Sequence, residues 1–153
     1  MKIFLRAALL TIVAAAPVLA QAPAGTAGKQ VITMGAPNPN AVLSPAIRVG
    51  DVVYASGQLG LNRQAPDSTI EGQTRLTLEN TKRVLEAAGT TMDNVVKCTV
   101  FLTRASDFQG MNRVYREFFP KDPPARSTVV VAALVVPAAV VEIECMAVMP
   151  KQG

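Results

Sequence analysis

With 153 residues, half of them apolar, the chain is long enough for one domain with a real hydrophobic core, and one domain is the default expectation. Its 15 basic and 11 acidic residues form no run of like charge and only 5% of residues are aromatic, so nucleic-acid binding, which needs a basic track and stacking rings, is not expected. The absence of histidine excludes Ser-His-Asp and Cys-His catalysis and any histidine-based metal site.

Residues 1–20 read as a secretory signal peptide. Lys2 and Arg6 supply positive charge, Ala7 to Ala16 is apolar, and Val18-Leu19-Ala20 ends in small residues. The apolar run falls short of the roughly 20 residues that a membrane-spanning helix needs. Cleavage after Ala20 is expected to place the mature protein in the periplasm or outside the cell, with no remaining membrane attachment. It also removes two of the 15 basic residues, leaving 13 against 11 acidic, a balance that singles out no partner. Residues 21–30, "QAPAGTAGKQ", are expected to form a flexible leader, with one domain over residues 31–150.

"AIRVGDVVYASGQLG" predicts a β-hairpin, with Ile47-Arg48-Val49 and Val52-Val53-Tyr54 flanking Gly50-Asp51. A loop through "NRQAPDST" leads to a helix from about Glu71 to Ala88. Leu78, Val84, Leu85 and Ala88 form its apolar stripe, Arg75, Glu79, Lys82, Arg83 and Glu86 take the other face, and Gly89 suits its end. "VVKCTVFLT" alternates as a strand, with Val96, Cys98, Val100 and Leu102 on one side. Ser106 followed by Gln109 predicts a capping box for a second helix whose stripe is Phe108, Met111, Tyr115 and Phe118. Strands over about Arg126 to Leu134 and Val140 to Val148, separated by a turn at Pro137, complete the order β-β-α-β-α-β-β. This is an α+β pattern, one sheet with both helices on a single face.

The last two strands carry charges inside apolar runs. Alternation puts Arg126, Thr128 and Val130 on one side of their strand, and Glu142, Glu144 and Met146 on one side of theirs. All three charges are therefore expected on the sheet face that the helices leave uncovered, turned toward another subunit. Arg126 and a glutamate could be a structural ion pair. Alternatively, Arg126 could bind the carboxylate of a small acid while the glutamate handles water. Cys98 and Cys145 lack an electropositive neighbour, so neither is a nucleophile. A disulfide requires Cα atoms within about 7 Å, and sequence leaves open whether they bridge or pack as thiols.

"VVYASGQLG", "NVVKCTVFL", "MNRVYREFFP" and "PPARSTVVVAAL" with "VEIECMAV" resemble the YjgF/RidA family of small enamine/imine deaminases, from about Val31 to Met149. The resemblance implies a chorismate-mutase-like α+β fold and a homotrimer with a central barrel, with helices outside and sites in the clefts between subunits. It implies that Arg126 holds the carboxylate of 2-iminobutanoate or 2-iminopropanoate and that Glu142 orients the attacking water, although the longer turn before "VEIE" leaves Glu142 and Glu144 as alternatives. Ser56, Gly57 and Asn112 would line the pocket. Thr128 stands where the family has a cysteine and keeps a hydroxyl there, and Ala46 stands where it has a tyrosine, which would open one wall. No cofactor or metal is implied, since an imine carbon is already electrophilic. A second reading is a trimer that binds small carboxylates without turnover, as a stress-protective protein.

Overall fold

The computed structural model describes residues 28–62 and 64–151, so the predicted signal peptide and nearly all of the leader lie outside the described residues. Eight regular elements follow one another: β1 (Lys29–Ile32), β2 (Ala46–Val49), β3 (Val52–Leu59), α1 (Ile70–Ala87), β4 (Val95–Leu102), α2 (Phe108–Phe118), β5 (Ala125–Val130) and β6 (Val141–Val148). They build a six-stranded sheet in the order β1-β2-β3-β6-β4-β5. β4 and β5 run parallel across the α2 crossover, and the other neighbours are antiparallel. Both helices pack together, with α1 against β3 and β6, which is the expected α+β arrangement. One strand was not read from the sequence: β1 begins at Lys29, inside the segment read as leader, and pairs with β2.

The turns form where backbone chemistry allows. Gly50 takes φ +57° in the β2–β3 hairpin, and Gly89 takes φ +84° beyond α1, a left-handed conformation that costs glycine little. Thr69 caps α1 by accepting from the Gly72 amide at 3.1 Å, and the Asp67 carboxylate fixes Thr69 through its amide (2.7 Å) and hydroxyl (2.6 Å). These donors hold the Asp67 carboxyl below its ordinary pKa.

Beside its predicted apolar residues, α1 buries a polar row of Gln73, Thr74, Thr77 and Thr81. Small residues let the helix approach the sheet closely. A Cβ on Gly60, just past β3, would fall 1.9 Å from the Gln73 carbonyl oxygen. The buried Gln73 amide donates to the carbonyls of Asp67 (3.0 Å) and Ala138 (2.9 Å) and accepts from the Val140 amide (2.8 Å).

Four local expectations are corrected. The capping box at Ser106 does not form: Ala105–Asp107 is a 3-10 turn, α2 starts at Phe108, and Arg104 Nε donates to the Asp107 carboxylate at 3.0 Å. The buried stripe of α2 is centred on Met111, Val114 and Tyr115, leaving Phe108 37% exposed. Val96 is 45% exposed because a bulge between Val95 and Lys97 breaks the alternation of β4. β5 also ends at Val130, and residues 131–139 form a loop in place of its predicted continuation.

The core lies between helices and sheet, around Val53, Leu78, Leu85, Val100, Leu102, Met111, Val141 and Ile143. Burying side chains of this size contributes roughly 1.5–3 kcal/mol each. Cys98 and Cys145 face each other across the β4–β6 ladder with Cα atoms 4.1 Å apart and form a buried disulfide, which answers the question left open by the sequence. On the outer surface, Arg75 grips Glu117 with two hydrogen bonds of 2.7 and 2.9 Å, joining α1 to α2. Arg113 joins α2 to Glu71 of α1 through a single hydrogen-bonded ion pair.

Candidate functional site

Arg126 lies opposite Cys98 in the parallel β4–β5 ladder. Side chains directly opposite each other share a face, and Cys98 belongs to the core beneath the helices. Arg126 is thereby directed to the helix side, under α2. Its Nη2 donates to Asn112 Oδ1 at 2.7 Å, and its guanidinium sits 4.6 Å from the ring centre of Tyr115 and 5.8 Å from that of Phe108. Such cation–π contacts contribute about 0.5–2 kcal/mol each and hold the planar group still. Among the described residues Arg126 has no carboxylate partner. Thr128, opposite the buried Val100, shares this face.

A cleft of 350 Å³ opens beside the guanidinium, lined by Asn112, Tyr115, Arg116, Phe119, Pro123, Pro124 and Arg126. The rings of Tyr115 and Phe119 pack 4.6 Å apart. The Tyr115 hydroxyl is buried without a hydrogen-bond partner among the described residues. Burial pushes its pKa up to about 12 against the opposing pull of the Arg126 charge, so it is a neutral phenol at physiological pH.

Glu142 is elsewhere. Val141, Ile143, Cys145 and Ala147 fill the core, so Glu142, Glu144 and Met146 point away from the helices. Glu142 lies between Leu59 of β3 and Phe101 of β4. The expectation that Arg126 and the glutamates share one face is thus overturned. Alternation fixes faces within a strand, but only pairing register relates one strand to another, and that register sets Arg126 on the opposite side of the sheet.

Gly57 meets Glu142, and Ser56 precedes it in the same stretch of β3. Ladder register shifts between Ala55 and Gln58, so these two residues form an irregularity in β3. Ser56 is anchored by its hydroxyl to the Ser44 carbonyl (2.7 Å) and by its amide to the Pro45 carbonyl (3.0 Å). A Cβ on Gly57 would lie 2.1 Å from Glu142 Oε1, so the carboxylate rests directly on the Gly57 backbone. Glu144, two residues on, instead borders a hollow with Tyr54, Lys97, Thr99 and Met146. Ala46 is fully buried opposite Ala55 and opens no wall.

The predicted site residues therefore form two groups in the chain, Arg126 with Asn112 and Thr128 on the helix side of the sheet, and Glu142 with Gly57 on the other, while Ser56 is held by Ser44 and Pro45. Tyr115, Phe119 and the Pro123-Pro124 wall were missed as cleft residues. Tyr115 and Phe119 carry only the apolar spacing of an ordinary buried helix face, whereas Pro123-Pro124 directly before the Ala125-Arg126 strand start was a usable signal.

Comparison with known proteins is consistent along the domain. The family model described as Endoribonuclease L-PSP matches residues 33–149. A RutC family protein of Saccharolobus solfataricus is 42% identical over 107 residues, 68% of this chain and 85% of that protein. A 2-iminobutanoate/2-iminopropanoate deaminase of Dermatophagoides farinae is 41% identical over 102 residues, 65% of this chain and 80% of that protein. The crystal structure of a conserved Rid family protein from Yersinia pestis superimposes with a TM-score of 0.71 at 41% identity, covering 79% of this chain and 99% of that one.

Proposed function

The chain belongs to the Endoribonuclease L-PSP family, which is the YjgF/RidA family, and from that premise we propose that it hydrolyses small 2-imino acids to 2-oxo acids and ammonia. The observation that carries the reading is a half-buried guanidinium, aimed by Asn112 and two aromatic rings, beside a cleft with no carboxylate of its own among the described residues. A fixed guanidinium of this kind is suited to bidentate recognition of a carboxylate.

Glu142 supplies the second function. Its carboxylate accepts a proton from water as the water oxygen bonds to the imine carbon. That proton passes to the nitrogen to give a carbinolamine, the carbinolamine's hydroxyl proton then follows it to the nitrogen, the C–N bond breaks as the C=O bond forms, and ammonia leaves behind a 2-oxo acid. Positioning provides most of the advantage, since the imine carbon is already electrophilic. Because Arg126 and Glu142 stand on opposite faces of one protomer, the reading requires Glu142 of a second copy to approach the Arg126 cleft, in a homotrimer whose sites lie between subunits. Export to the periplasm or beyond is part of the proposal. The Cys98–Cys145 disulfide supports it, because such bonds persist in oxidising compartments.

The test generates 2-iminopropanoate from alanine with an amino-acid oxidase and follows its disappearance. The protein should accelerate that loss, and Arg126→Ala should reduce the acceleration at least about 100-fold, the loss of a charged pairing. No acceleration, with 2-oxobutanoate still binding by calorimetry, would instead favour a trimer that holds small carboxylates without turnover.

A further inference from the structure

The Arg126 cleft contains a second cation. Arg116, in the last turn of α2, lines the same 350 Å³ space. The carboxylates near this end of the helix are engaged or face elsewhere: Glu117 is held by Arg75, and Asp122 borders a separate hollow with Lys121. No aspartate or glutamate lines the cleft, and Arg116 has no ion-pair partner among the described residues. Its charge suits the negative end of the α2 dipole, yet that leaves the hydrogen-bond donors of its guanidinium free. Tyr115, Phe119, Pro123 and Pro124 line the same space and give it a largely apolar wall that fits a short carbon chain.

We propose that Arg116 is a specificity residue that reads a second anionic group, so the ligand of this cleft is an acidic 2-imino or 2-oxo acid carrying a carboxylate at each end. The inference rests on the reading of Arg126 as the residue that binds the first carboxylate. Two guanidiniums line one cleft to which this copy contributes no acid, so each is open to an anionic group of the ligand. The volume is within the roughly 300–1,000 Å³ of small-molecule pockets. A single carboxylate on Arg126 leaves the exposed Arg116 to water, whereas a dicarboxylate gives each guanidinium an anionic partner.

Calorimetry on the purified protein with 2-oxoglutarate, 2-oxobutanoate and phenylpyruvate tests it. 2-Oxoglutarate should bind about tenfold more tightly than 2-oxobutanoate, the increment of one charge-assisted contact at an exposed position. Arg116→Ala should bring that ratio close to one, and Arg116→Lys should keep part of it. If 2-oxobutanoate binds and 2-oxoglutarate binds no better, or if phenylpyruvate binds best, the second-anion role is overturned while the role of Arg126 stands. If none of the three binds, both are overturned.

Discussion

Gly57 carries its importance in what it lacks. A methyl group there would meet the end of the Glu142 side chain, a flexible obstacle that can swing aside. Gly57→Ala should therefore change thermal stability little while displacing the carboxylate, lowering the imine-hydrolysis rate at least about tenfold; a parallel fall in melting temperature and rate would indicate simple packing damage instead. Tyr115 allows a different test, by pH. Its pKa is raised from 10.0 to about 12 by burial, so the folded state favours the protonated phenol. That contribution is fully present below about pH 10, the unfolded value, and is lost as pH rises through about 12. In a Tyr54→Phe background, which leaves Tyr115 as the one tyrosine, phenolate absorbance should titrate near pH 12. Unfolding free energy should fall between about pH 10 and 12, and a midpoint near 10 would contradict the burial argument.

Among the elements, β6 is the most constrained. It pairs with β3 and β4 and is bonded covalently to β4 through Cys145. A bridge across 47 residues removes unfolded-state entropy equivalent to about 4 kcal/mol in the loop-closure description. The Cys98→Ala/Cys145→Ala double variant should lose stability of that order in urea denaturation, and an unchanged midpoint would mean that the thiols merely pack. Much of this level was legible in sequence. Gly50-Asp51 marked the hairpin, Gly89 marked the end of α1, and β-branched alternation marked β4 and β6. What sequence left hidden has physical causes. β1 has four residues, and its pattern gains meaning only once paired with β2. The polar row on α1 looks like a solvated face, because the closeness of the Gly60 backbone is a tertiary fact. For the candidate site, the sequence named Arg126 and Asn112, which meet in the fold, but it did not reveal that Arg126 and Glu142 lie on different faces. A parity argument stops at the end of each strand, and the register between β4 and β5 follows from how α2 returns the chain.

At the scale of the molecule, the sheet face away from the helices carries Tyr54, Phe101, Val129, Met146 and Val148 at partly or fully exposed positions. These apolar positions, interspersed with Lys97, Glu142 and Glu144 on the same face, suit contact with further copies, and sedimentation should give a trimer. A shared site also makes an arithmetic prediction. Arg126→Ala and Glu142→Ala proteins, each inactive alone, should regain activity when denatured together and refolded. Random assortment leaves about a quarter of the sites with both residues intact when each site draws one residue from each neighbour. No recovery would place both residues within one copy's site.

The side-chain amide of Gln73 has a consequence in time. It bonds to the connection before α1 through Asp67 and to both Ala138 and Val140 in the connection before β6, so both segments are fastened to one buried side chain and its release frees both. The two connections should open as one unit. Deuterium uptake at the Val140 amide, which lies just outside β6, should then follow the slow clock of that joint opening and not the fast one of a surface loop.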